Sequence, residues 1–117
     1  MSALPDTLWI VQPNPLARDL RDFFLDLDAA NRTAGTARFY RQKLEPFLDY
    51  AKSQGVVKSQ DLTPSLMRRW LAHLGDGHNP GGVRAYWRAT RAFCRFLVRD
   101  EILDKDPTAS VRAQGGP

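Results

Sequence analysis

Three times in this chain an Asn or Thr, each a good helix cap, stands directly before a proline: Asn14-Pro15, Thr63-Pro64 and Asn79-Pro80. The Asn or Thr side chain accepts from first-turn amides. Proline, its φ already set, suits the first helical position, where a missing N–H is no loss. Each pair therefore opens a helix, and the apolar residues behind each recur at helical spacing. The first helix is predicted over 15–29, with Leu16, Leu20, Phe23, Phe24 and Leu27 as its buried stripe. The third spans 64–75 on Leu66, Met67, Trp70, Leu71 and Leu74, ended by Gly75-Asp76-Gly77, and the fourth spans 80–101. Between the first and third, Thr36 opens a second helix over 36–54, with Thr36, Tyr40, Leu44, Phe47, Leu48 and Ala51 inward and Gly55 as the stop. Pro46 falls inside that pattern and is expected to kink it. No strand period competes, so the fold class is all-α, four helices with short connections.

With 117 residues there is room for one domain and a self-sufficient core. Residues 1–13 read as an extended N-terminal arm, 14–107 as the body and 108–117 as a linker-like tail. No apolar run reaches the roughly 20 residues of a membrane span, and no signal peptide is visible. Cys94 is the single cysteine and His73 and His78 the two histidines, so a disulfide framework and multi-cysteine metal sites are excluded. A reducing, cytoplasmic setting is expected, with no cofactor, no membrane and no small-molecule substrate.

The charge is unevenly spread. The chain carries +4 overall, but residues 1–30 sum to −3, residues 31–99 to +9 and residues 100–117 to −2. Thirteen of the seventeen cations are arginine, the side chain suited to bidentate bonds with phosphate and guanine edges. Arg84, Arg88, Arg91, Arg95 and Arg99 of the fourth helix fall within roughly an 80° arc. No acidic residue occurs between Asn79 and Arg99. Like charges at i,i+4 destabilise a helix by about 0.2–0.5 kcal/mol per pair, so an external polyanion is expected to offset the row. Phosphates, an acidic protein surface and the acids of the first helix are the partners open at this point; a solvated face is the bland alternative.

A second cationic set lies on the second helix: Arg38, Gln42 and Lys43, with Arg41 at its margin. The entrance Asn79-Pro80-Gly81-Gly82 has no bulky side chains; it is open to a phosphate at a helix N-terminus or is merely a flexible joint. Trp87 flanks the arginine arc and either packs on DNA or seals the edge of the core. Leu25 stands on the polar side of the first helix.

These segments, in this order, resemble the N-terminal core-binding, SAM-like domain of the tyrosine recombinase and phage integrase family, Xer proteins included. Leu16 to Phe23 resembles its first helix. Thr36-x-x-x-Tyr40-x-x-x-Leu44-x-x-Phe47 matches its second, Leu62-Thr63-Pro64 the start of its third, and Val83 to Pro107 its fourth helix and exit. Gly81-Gly82, where the family often has Ser or Thr, and Pro46 depart from the pattern. The resemblance covers about residues 14–112. It implies an orthogonal four-helix bundle that grips double-stranded DNA with its second and fourth helices. Carried over, it places Thr36, Arg38, Gln42 and Lys43, then Arg84, Arg88, Arg91 and Arg95, on the duplex; the charge pattern adds Arg41, the open helix entrance adds Gly82, and the position flanking the arginine arc adds Trp87. It implies that other recombinase subunits are partners and that the chemistry belongs to a C-terminal domain outside this chain. Neither His73 nor His78 begins the family's His-x-x-Arg box, and the chain itself is expected not to be an enzyme. Two other readings stay open: a helical interaction module whose arginine row meets an acidic partner, and a standalone regulator that occupies recombination sites without cutting them.

Overall fold

The computed structural model describes residues 14–113, so the extended arm expected over 1–13 and the last tail residues, 114–117, lie outside it. Four α-helices and one short 3-10 turn form the body: α1 Pro15–Ala29, α2 Ala34–Ser53, the 3-10 turn Ser59–Asp61, α3 Pro64–Gly77 and α4 Pro80–Arg99. Among the described residues there is no strand, as the all-α reading expected. The three capped prolines open their helices as read. Asn14 accepts from the Ala17 amide, Thr63 from Leu66 and Asn79 from Gly82, at 3.0, 3.1 and 2.8 Å.

α2 begins two residues earlier than expected. Thr33, not Thr36, is its cap and accepts from the Thr36 amide at 3.1 Å, while the two hydroxyls share a hydrogen bond of 3.0 Å. The helix runs on through Pro46, which is exposed. α3 passes through Gly75 to Gly77, because neither Gly75 nor Gly77 takes a positive φ. What stops it is Asn79-Pro80: the residue before proline is held extended, and His78 before it is extended too, at φ −138° and ψ 152°.

Three helices end in the same way. A residue with positive φ follows the cap, and the next amide reaches back five residues: Asn31 with Arg32 to Leu27, Gly55 with Val56 to Ala51, and Glu101 with Ile102 to Leu97. This is the Schellman arrangement, and glycine is its natural occupant. It explains why α4 stops at Arg99 rather than 101. Glu101, at φ 61°, carries a side chain where L-residues are strained. Glu101→Gly is expected to stabilise the domain by about 0.5–1 kcal/mol, read as a higher urea midpoint at unchanged slope.

α4 packs against each of the other three helices. Its inner side is broader than a single stripe: Val83, Trp87, Ala89, Thr90, Phe93, Cys94, Phe96 and Leu97 are all buried. Two aromatic groups fill the space around it. Phe23 centres one, with Tyr40, Phe93 and Phe96 at ring distances of 5.4, 5.8 and 5.4 Å. Trp70 centres the other, with Phe47, Tyr50 and His73 at 5.4, 5.3 and 5.8 Å. The indole N–H of Trp70 donates to the Thr90 hydroxyl at 3.1 Å, which in turn donates to the Tyr86 carbonyl at 2.8 Å.

The packed body continues past 107. Pro107, Thr108 and Val111 are buried, and Asp106 Oδ1 accepts from both the amide and the hydroxyl of Thr108 at 2.8 and 2.6 Å. Polar and glycine-rich composition hid this, because one turn and one valine suffice to dock the segment. Cys94 is wholly buried among these side chains. Burial, and secondarily the Asp106 charge, raises its thiol well above the value near 9.0 that an unfolded chain shows. The folded thiol therefore keeps its proton where the unfolded one loses it, so stability falls as pH rises above about 9. Maleimide labelling near pH 8 is expected to proceed only as fast as the domain unfolds.

Candidate nucleic-acid interface

The outer flank of α4 is laid down by its own period: the arc opposite Thr90, Phe93 and Leu97 carries the arginines. Arg84, Arg88, Arg95 and Arg99 are exposed and Arg91 is half-buried. Among the described residues, none of Arg84, Arg88, Arg91 and Arg95 forms an ion pair with a carboxylate. Arg99 differs: its guanidinium donates to Asp26 of α1 at 2.6 Å. The row is thus four unneutralised guanidiniums and one clamped to the body. Arg91 adds a second asymmetry, since its Nε is buried with no hydrogen-bond partner.

α2 packs against α4 and meets this flank. Lys43 Nζ stands 4.5 Å from the Tyr86 ring centre, and the Arg88 guanidinium 5.1 Å from that of Phe39. Lys43 also reaches Phe39 at 5.9 Å. The two helices therefore share a groove in which cations rest on aromatic faces. Such contacts hold a guanidinium or ammonium group in place without consuming its charge. Phe39, half-buried, was not singled out by charge patterning; its place between Arg38 and Lys43, as an aromatic among cations, was the available signal.

The structure brings together Lys43, Phe39, Tyr86 and Arg88 at the groove. Arg38 and Gln42, one turn apart, are exposed on α2, and Thr36 is half-buried with its hydroxyl engaged by Thr33. Arg41 is set apart, its guanidinium 4.7 Å from the Phe24 ring of α1. Trp87 is 5% exposed and belongs to the core, the sealing role rather than an open face. Gly82 donates its amide to Asn79, so this N–H at the entrance is already engaged by the cap. A Cβ at Gly82 would lie 3.3 Å from that of His78, so glycine there serves close packing as well. Arg68 and Arg69 are exposed on α3, and Arg69 donates to Ser65 at 3.0 Å.

Among the described residues no three His, Cys, Asp or Glu side chains gather as a metal-ligand set. No described helix is long and apolar enough to cross a membrane.

Comparison with known proteins agrees with this architecture. The chain is similar to tyrosine recombinase XerC of Pseudomonas putida strain F1, 30% identical over 78 residues that cover 66% of this chain and 26% of the relative. It is also similar to tyrosine recombinase XerC of strain KT2440, 28% identical over 82 residues that cover 69% of this chain and 27% of the relative. The chain thus spans about a quarter of the length of the curated relatives it matches. No solved structure matches it significantly. Residues 20–101 match the phage integrase N-terminal SAM-like domain, a span that holds most of α1, all of α2, α3 and α4 and the groove between α2 and α4, and the chain belongs to that family.

Proposed function

We propose that this domain grips double-stranded DNA for a tyrosine recombinase, with α2 and α4 against the duplex. The observation that carries the reading is the set of four arginines on one flank of α4 with no carboxylate partner among the described residues, beside Lys43, Arg38 and Gln42. A row of phosphates is the partner whose spacing and charge fit it. Phosphate contacts set position, while one or two arginines reaching guanine edges supply sequence preference. Bond cleavage and rejoining belong to a separate catalytic domain of the longer recombinase, and neighbouring subunits meet on the DNA. The protein works in the cytoplasm, on the nucleoid when bound.

The test is a duplex titration at 50 and 200 mM salt. With about five phosphates engaged, affinity is expected to drop roughly 500-fold between the two. If no binding is measurable at the lower salt, the reading fails, and an acidic protein becomes the partner to look for.

A further inference from the structure

Beyond the α2–α4 groove, a cavity of about 430 Å³ opens where α1, the α1–α2 connection, α2 and α4 meet. Arg32, Arg95 and Arg99 line it, with Tyr40 and Phe23 in its wall and Asp26 at its side. We infer that this cavity is a second binding site, one that takes a phosphate group. Three guanidiniums face one carboxylate, a surplus of two positive charges that matches a phosphate dianion. Guanidinium forks bind phosphate oxygens in pairs, which neither a single ammonium group nor a neutral pocket does.

The site is built rather than incidental. Asn31, at φ 61°, turns the chain out of α1, and the Arg32 amide is tied to the Leu27 carbonyl at 3.1 Å. That bond fixes the backbone from which Arg32 projects. Asp26 holds one terminal nitrogen of Arg99 at 2.6 Å and leaves the rest of the fork available. No described carboxylate pairs with Arg32 or Arg95. The Phe23 ring, 5.4 Å from that of Tyr40, backs the cavity with apolar surface, which strengthens charge interactions at its mouth.

Two sources supply a phosphate group: the backbone of the duplex, or a free phosphorylated molecule. Placement favours the duplex, and that part rests on the DNA reading above. Arg99 lies about 22 Å along α4 from Arg84, several nucleotide steps at 3.4 Å each, so the cavity meets a different phosphate from the one near Arg84.

The experiment follows amide signals of Ala30, Arg32 and Tyr40, all lining the cavity, in the ¹⁵N-labelled protein. Inorganic phosphate is titrated against chloride at matched ionic strength, and a short duplex is titrated separately. Both ligands are expected to shift the three signals. Arg32→Ala, at an exposed position, is expected to weaken phosphate binding about fivefold and to lower the duplex salt slope by about 0.9. Asp26→Asn is expected to tighten phosphate binding about threefold by releasing Arg99. Shifts with phosphate but none with duplex keep the site and overturn its DNA source. If the duplex moves Phe39 and Arg88 signals while neither ligand moves Ala30, Arg32 and Tyr40, the site is refuted and the groove reading survives.

Discussion

Trp70→Ala is expected to destabilise the domain by about 3–5 kcal/mol, close to the whole stability of a small domain. Trp70 is 1% exposed and joins α3 to both α2 and α4 through Phe47, Tyr50 and Tyr86. Its removal empties the space at which three helices meet. Chemical denaturation measures the loss directly, and the thermal midpoint is expected to fall by more than 10 °C, at about 4–8 °C per kcal/mol. Thr90→Val separates packing from hydrogen bonding. It preserves volume but leaves the Trp70 N–H buried without an acceptor, at a cost of about 1–3 kcal/mol. An unchanged midpoint in Thr90→Val would show that the bond adds nothing net to the packing.

The second large effect concerns the flank of α4. Arg84→Ala, Arg88→Ala and Arg95→Ala combined are expected to weaken duplex binding about a hundredfold at low salt, at roughly 1 kcal/mol each. The salt slope is expected to fall by about 2.7. These side chains are exposed, so thermal stability is expected to hold or rise as like charges disappear. Arg68→Ala with Arg69→Ala on α3 serves as a control that alters net charge away from the groove. If both sets weaken binding equally, the protein binds DNA through diffuse charge and α4 has no special place.

Much of this architecture was legible before the fold was known, because capping chemistry is local. Asn14-Pro15, Thr63-Pro64 and Asn79-Pro80 each marked a helix start at the right residue. Starts and ends without that chemistry were harder. Thr33 and Thr36 are both plausible caps, and only the earlier one leaves a Thr three positions on to answer it. The end of α4 was hidden because Glu101 does not advertise a left-handed turn as Gly55 does.

The site was legible in part for a similar reason. Helical period alone puts five arginines on one flank. It cannot say that Asp26, 73 residues away in sequence, would claim Arg99. Nor can it say that Arg41 turns towards Phe24, or that Phe39 lies beneath Arg88. Those contacts depend on how α1 and α2 lie against α4. Trp87 shows the limit of angular reasoning: it flanks the arginine arc on a helix wheel, yet it is buried in the core.

α4 is at once the wall on which the other three helices rest and the element with the most self-repulsion. The domain's cohesion and its affinity are therefore expected to answer ionic strength in opposite directions. Counterions loosen a bound polyanion, yet they quiet the mutual repulsion of the guanidiniums and make the bare bundle harder to melt.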